Sequence, residues 1–127
     1  MSCPASARTA LVVGGSGGLG AAICRALAGE WGRVAVGYRS GLEAAQGLAT
    51  ELGGHSTAVH CDLSDAASVT SAIDAANSAN LPMGAIVFAG GVAIAQPFVS
   101  TIAEAQWRQV IEVELIGFTR VVAAAIP

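Results

Sequence analysis

A chain of 127 residues has room for one domain and not for two of ordinary size. Its hydrophobic share is 54% and its charged share 12%, against a usual charged share of about 25%, which excludes an intrinsically disordered chain. Nine acidic residues outnumber six basic ones, all arginine, for a net charge of −3; no basic patch of the kind nucleic acid requires is visible. Cys3, Cys24 and Cys61 are odd in number, widely spaced and free of any C-x-x-C pair. A disulfide framework or zinc site is therefore not expected, and a reduced, cytoplasmic chain fits best. Cys24 and Cys61 read as small buried hydrophobes. The start, Met-Ser-Cys-Pro, lacks a charged region followed by an apolar core, so no signal peptide is expected.

In chain order, strands alternate with helices. Residues 9–14 form a short apolar run bounded by glycines, suited to a buried parallel strand. Residues 18–30 have helical spacing, with Leu19, Ile23, Ala26 and Leu27 on one face. Residues 34–38 predict a second strand, and the Ala-rich stretch 41–53 a second helix that stops at Gly53 and Gly54. Residues 56–60 predict a third strand. Ser64 is the expected N-cap of a helix over 65–79, with Asp65 complementing the dipole in its first turn and Leu81-Pro82 ending it. Residues 85–89 predict a fourth strand, and 101–125 one long helical stretch with Ser100-Thr101 as its N-cap. This β-α-β-α-β-α-β-α order implies a parallel sheet with right-handed crossovers and helices on both faces, a three-layer α/β fold.

The turn after the first strand reads Val13-Gly14-Gly15-Ser16-Gly17-Gly18-Leu19-Gly20. Such a loop lets the backbone approach a pyrophosphate, while the next helix aims free N–H groups and its positive dipole end at the anion. Gly14 would permit the turn, Gly18 the close approach and Gly20 tight packing of helix against strand. The alternative is a glycine-rich turn that binds nothing. Its place between strand and helix inside a βαβ unit favours the dinucleotide. A carboxylate about twenty residues further on would select NAD, but the second strand ends Gly37-Tyr38-Arg39-Ser40. Arg39 can pair with a 2′-phosphate and so favours NADP(H); otherwise it is a solvated surface arginine.

With these residues the chain resembles the N-terminal half of the short-chain dehydrogenase/reductase family, and especially its 3-oxoacyl-acyl-carrier-protein reductases. The family's Thr-Gly-x-x-x-Gly-x-Gly falls on residues 13–20, with Val13 replacing Thr. The resemblance implies a doubly wound Rossmann-type sheet with strand order 3-2-1-4, truncated to four βα units. It implies cofactor contacts from Gly14, Ser16, Gly17, Gly18, Leu19 and Gly20, and an NADP loop of Tyr38, Arg39 and Ser40. It also implies an adenine site at Cys61, Asp62 and Leu63, and a last wall at Ala89, Gly90 and Gly91. The family's Asn-Asn-Ala-Gly falls on Val87-Phe88-Ala89-Gly90, so both asparagines are replaced, and its helix Asn falls on Glu114.

Family enzymes use a Ser, a Tyr-x-x-x-Lys pair and that helix Asn. This sequence has Tyr38 as its one tyrosine and no lysine, so catalytic residues of that kind are not expected within it. Glu114 is a poor substitute, since an anion opposes a developing alkoxide. His55 and His60 lack chelating spacing on a strand, and no metal is expected. Asp62 and Asp65 read as adenine contact and helix-start charge; Glu104, Arg108 and Glu112 read as a solvated helix stripe.

The apolar residues of the last helix, Val110 to Ile126, wrap most of its circumference, so it should be buried on more than one side. Glu112, Glu114 and Arg120 argue against a membrane span. The fourth strand would be an apolar open edge. A homo- or hetero-oligomer through residues 101–126 and that edge is therefore expected, with a full-length family member or a C-terminal-half subunit as candidate partner. Three functional readings follow: an NADP(H)-binding component of an oxidoreductase completed by a second chain or further sequence, a non-catalytic subunit that stabilises an active homologue, and a dinucleotide-sensing interaction protein.

Overall fold

Strands β1 (Thr9–Val13), β2 (Arg33–Tyr38), β3 (Thr57–His60) and β4 (Met83–Phe88) pair in parallel in the spatial order β3-β2-β1-β4. The computed structural model describes residues 3–78, 80–95 and 98–126. Helices α1 (Gly18–Ala28), α2 (Leu42–Leu52) and α3 (Ala66–Ala76) connect successive strands. After β4 come a 3₁₀ turn at Val99–Thr101, α4 (Glu104–Val110), a π-helical turn at Ile111–Ile116 and α5 (Gly117–Ala125).

Strand periodicity sorts the core into two layers. Val12, Val34 and Val36 face Cys24 of α1 and Ala45, Leu48 and Ala49 of α2. Leu11, Val13, Ala35 and Val59 face the other way, onto Val69, Ala72, Ile73 and Ala76 of α3 and onto Val113 and Val121. The expected three layers are therefore present. Every residue of β1 is buried, because β1 has a strand on each side and helices over both faces. Each large apolar side chain so buried contributes about 1.5–3 kcal/mol.

Several boundaries differ from the sequence reading. The first helix ends at Ala28 instead of 30, and β4 begins at Met83 instead of 85. Helix α3 is capped by Asp65, whose carboxylate accepts the Ala67 N–H at 2.9 Å; Ser64, the expected cap, is drawn away by Asp62. That helix stops at Ala76 instead of 79; Ala79 lies outside the described residues. The single helix expected over 101–125 is divided. Ser100 and Thr101 sit in the 3₁₀ turn, the Thr101 hydroxyl donates back to Phe98 O at 2.8 Å, and the cap position of α4 falls to Ala103. Glu104 and Arg108 do pair on the surface, but Glu112 pairs with Arg120, 2.6 Å away across the π-turn.

The last helix is also less covered than its composition leads one to expect. Val113 and Val121 are buried, while Ile111, Leu115, Phe118, Val122 and Ile126 are exposed. Among the described residues β4 pairs with β1 alone, so its other edge is open. No helix among the described residues is long and apolar enough to cross a membrane.

Candidate functional site

The four strands all end on one side of the sheet. Between β1 and β4 the strand order reverses, and in such sheets that crevice is where ligands bind. The loop from β1 to α1 is shaped by glycines. Gly14 has φ +76°, and a Cβ there would stand 2.7 Å from Ala89 O and from Gly90 N and Cα. Only glycine satisfies both the left-handed conformation and that approach. Two turn bonds, Gly15 N–H to Val12 O and Gly17 N–H to Gly14 O, each at 3.1 Å, fold the loop. Gly17 is the N-cap of α1 and supplies no side chain. The N–H groups of Gly18, Leu19 and Gly20, in the first turn, have no acceptor within the helix and form its positive end.

The end of β2 brings Tyr38, Arg39 and Ser40 beside this loop. Tyr38 meets His60 edge-on, ring centroids 5.5 Å apart. His60 also shares a hydrogen bond with the Ser68 hydroxyl at 3.2 Å. No group of three or more His, Cys, Asp or Glu among the described residues could hold a metal ion.

The end of β3 supplies Cys61, Asp62 and Leu63. Burial pushes the Cys61 thiol up to about 11, with the charge of Asp62 adding to the effect. Cys24, buried beneath the glycine loop, is likewise pushed up to about 11 by burial. Both are thiols at neutral pH, as small buried hydrophobes should be. The Asp62 carboxylate accepts the Ser64 hydroxyl at 2.7 Å and the Ser64 N–H at 2.9 Å. These two bonds, the hydroxyl first, hold it below the usual carboxylate range, and the charge of Arg39 acts in the same direction. Arg39 and Asp62 thus face a common cleft from adjacent strands.

The end of β4 supplies Ala89, Gly90 and Gly91. A Cβ on Gly90 would stand 2.7 Å from Leu63 Cδ1, so glycine here lets the third and fourth loops touch. The Val92 N–H then donates to Glu114 Oε1 at 3.0 Å.

The structure gathers Gly14, Ser16 and Gly17, Arg39 and Ser40, Cys61 to Leu63, and Ala89 to Gly91 around one open cleft. Gly18, Leu19, Gly20 and Tyr38 do not line it. Leu19 is exposed, and Gly20 is buried against the loop, where its missing side chain leaves room for Gly14. A Cβ on Gly18 would have no heavy atom within 4 Å, so that face of the first helical turn is open. Sequence reading missed Val13, Gly41 and Val113 in the lining. Gly41 could have been found by carrying the Tyr38–Ser40 loop one residue further. Val113 carried no signal, because it reaches the cleft from a helix about fifty residues past Asp62 in the chain.

The donor set fits a dinucleotide. The glycine cradle has space where side chains would otherwise stand, the helix start offers N–H groups to a pyrophosphate, and Arg39 offers a cation to a further phosphate.

The family model described as short chain dehydrogenase matches residues 8–127. Among curated proteins, the uncharacterized oxidoreductase YgfF of Escherichia coli (strain K12) is 33% identical over 112 residues, which are 86% of this chain and 45% of that protein. Among solved structures, a dehydrogenase/reductase from Sinorhizobium meliloti 1021 superposes with a TM-score of 0.83 at 30% identity, covering 93% of this chain and 48% of that one. A short chain dehydrogenase from Burkholderia cenocepacia J2315, solved in complex with NADP, superposes with a TM-score of 0.85 at 26% identity, covering 97% of this chain and 51% of that one. The chain thus spans about half the length of these relatives. Sheet order, glycine cradle and a match that runs from Arg8 to the last residue lead to one conclusion: the chain belongs to the short chain dehydrogenase family.

Proposed function

We propose that this chain is the NADP(H)-binding half of a short-chain dehydrogenase-type oxidoreductase. The observation that carries the reading is the cleft at the strand ends, where the Gly14 cradle and the start of α1 meet Arg39 and Asp62. In this reading Gly14, Ser16 and Gly17 of the lining seat the pyrophosphate, and the N–H groups of Gly18 and Leu19, at the open start of α1 next to them, donate to it. Arg39 with Ser40 takes the 2′-phosphate, with Tyr38 behind them on His60, and Asp62 between Cys61 and Leu63 takes the adenine. Ala89, Gly90 and Gly91 form the wall toward the reactive end. NADP(H), when bound, supplies or accepts a hydride, and the substrate class is a ketone or its alcohol.

Proton transfer needs a group that these 127 residues do not provide, since Tyr38 lies in the cofactor loop and lysine is absent. We assign that group to sequence or a partner outside them, docked on the open β4 edge and the exposed face of the last helix. Three free cysteines suit a reducing cytoplasm.

One observation favours a second reading, a non-catalytic subunit that supports an active homologue. A carboxylate, Glu114, occupies the position of the family's helix Asn and is committed to the Val92 backbone. The two readings differ in where the cofactor is turned over. An intact Tyr-x-x-x-Lys, on further sequence or on a partner, completes the site in this chain's cleft in the first reading, and serves only the partner's own cleft in the second.

The deciding experiment is a fluorescence titration of the chain with NADPH and with NADH, alongside native mass spectrometry of the chain from its source. Tighter binding of NADPH supports the proposal. Equal affinity removes Arg39 from the site, and no binding of either removes the function.

A further inference from the structure

The last helical segment reaches back and holds two walls of the cleft by their backbones. From the π-turn, Glu114 Oε1 accepts the Val92 N–H at 3.0 Å, directly after the wall residues Gly90 and Gly91. A Cβ on Gly91 would stand 3.1 Å from the same oxygen, so the carboxylate lies close along that loop. From α5, Arg120 Nη1 donates to Leu63 O at 2.9 Å, on the wall that carries Cys61 and Asp62. The guanidinium is itself held by Glu112 at 2.6 Å, and the Arg120 side chain is 25% exposed. Gly117 makes this reach possible, since a Cβ there would stand 2.8 Å from Leu63 Cβ. Between the two bonds, Val113 of the π-turn lines the cleft.

We propose that Glu114 and Arg120 are positioning residues: they clamp the Gly90–Val92 and Asp62–Ser64 backbones at the spacing that a dinucleotide requires. The proposal rests on the cofactor reading above and adds to it a role for the helical segment that follows the cleft. A wall of glycines has little rigidity of its own, because glycine gives up more conformational freedom than any other residue. A side-chain acceptor on Val92 supplies rigidity that the glycine loop lacks, and a side-chain donor on Leu63 adds to the bonds that Asp62 already makes to Ser64. The π-turn supplies the means. An extra residue in the helical repeat presents Val113 and Glu114 toward the cleft while Glu112 turns back to Arg120. The chemistry needed is acceptance at 114 and donation at 120, not charge as such. Glutamine retains an acceptor oxygen and lysine a donor, so these are the conservative replacements.

The test combines cofactor affinity with amide hydrogen exchange on the whole chain. Glu114→Ala and Arg120→Met are expected to weaken NADPH binding by about three- to tenfold each, the worth of one hydrogen bond in positioning. Glu114→Gln and Arg120→Lys should bind NADPH nearly as well as the wild type. The Val92 amide should be protected in the wild type and in Glu114→Gln, and exchange quickly in Glu114→Ala. A structural role alone would not give rescue by Gln together with protection confined to Val92. Unaltered NADPH affinity in both truncated variants overturns the proposal. So does fast exchange of Val92 in the wild-type chain, a measurement that stands even if a variant fails to fold. A wild-type chain with a protected Val92 and no NADPH binding overturns the cofactor reading, and with it the purpose assigned to the clamp.

Discussion

Gly20 and Gly14 meet backbone to backbone: a Cβ on Gly20 would stand 2.1 Å from the Gly14 carbonyl oxygen. The first turn of α1 is thus pressed onto the loop that precedes it, and the helix N–H groups are held where an anion can reach them. Neighbouring glycines in this loop consequently do different work. Gly20→Ala forces atoms apart inside a packed turn, and the expected cost is about 1–3 kcal/mol. A thermal melt should show Tm lower by several degrees.

Gly18 gives the opposite expectation. A Cβ there meets nothing within 4 Å, so the fold has room for a side chain. Gly18→Val should leave Tm nearly unchanged while abolishing measurable NADPH binding, because the added side chain occupies the approach to the helix start. Unchanged affinity in a folded Gly18→Val protein would remove the loop from the cofactor site.

Arg39 is the cation in the cleft lining, and its charge contributes to the lowered pKa of Asp62. Arg39→Asp replaces a partner for a 2′-phosphate with a partner for a 2′-hydroxyl. The ratio of NADPH to NADH affinity should fall by at least about tenfold, the scale of one charge-assisted contact. An unaltered ratio by paired titration would show that Arg39 is only a surface arginine.

The cysteines should separate by reactivity. Cys24 and Cys61 are buried with pKa values near 11, and Cys3 is exposed. Alkylation of the native chain at pH 8 should label Cys3 well before the other two, as read by mass spectrometry of the peptides. Burial raises the folded pKa of these two thiols above the unfolded value of about 9. Their contribution to stability is therefore complete below pH 9 and declines as the pH rises toward 11, where the unfolded chain gives up protons that the folded chain retains. A urea melt at pH 10 should show a lower midpoint than one at pH 8, and the difference should shrink in the Cys24→Ala, Cys61→Ala double variant.

The exposed apolar face of the last helix should drive association. Leu115 is 61% exposed and Ile126 66%, with Phe118 and Val122 on the same stretch. Sedimentation of the wild-type chain is expected to show self-association, and Leu115→Glu should reduce it. A wild-type chain that stays monomeric at high concentration would argue against this face as an interface.

Glu114→Asn introduces the residue that the family resemblance assigns to that position, yet the 127-residue chain should still reduce no ketone. Tyr38 is its one tyrosine and lysine is absent, so no proton donor of the family's kind is created. Turnover of NADPH by that variant would refute the division of labour proposed above.

Much of this molecule was determined by sequence alone. Short apolar runs that alternate with stretches of helical spacing point to buried parallel strands joined by helices, and such an order is met by three layers. The glycine loop, Arg39, Asp62 and the Ala89–Gly91 segment were legible because each follows directly on a strand, and parallel strands deliver their ends to one side. Tertiary structure decided the rest. Asp65 took the cap from Ser64 because the Ser64 hydroxyl and N–H are drawn to the Asp62 carboxylate. The helix expected over 101–125 was divided by a π-turn, which the pattern of apolar residues does not reveal because those residues surround the helix on all sides. Val113 lines the cleft, and Glu114 and Arg120 hold the backbones of Val92 and Leu63 at its walls, residues more than twenty and more than fifty positions away in the chain. Local patterns record what a residue does to its own backbone. They carry no record of which distant backbone it will hold, since that depends on where packing places the helix.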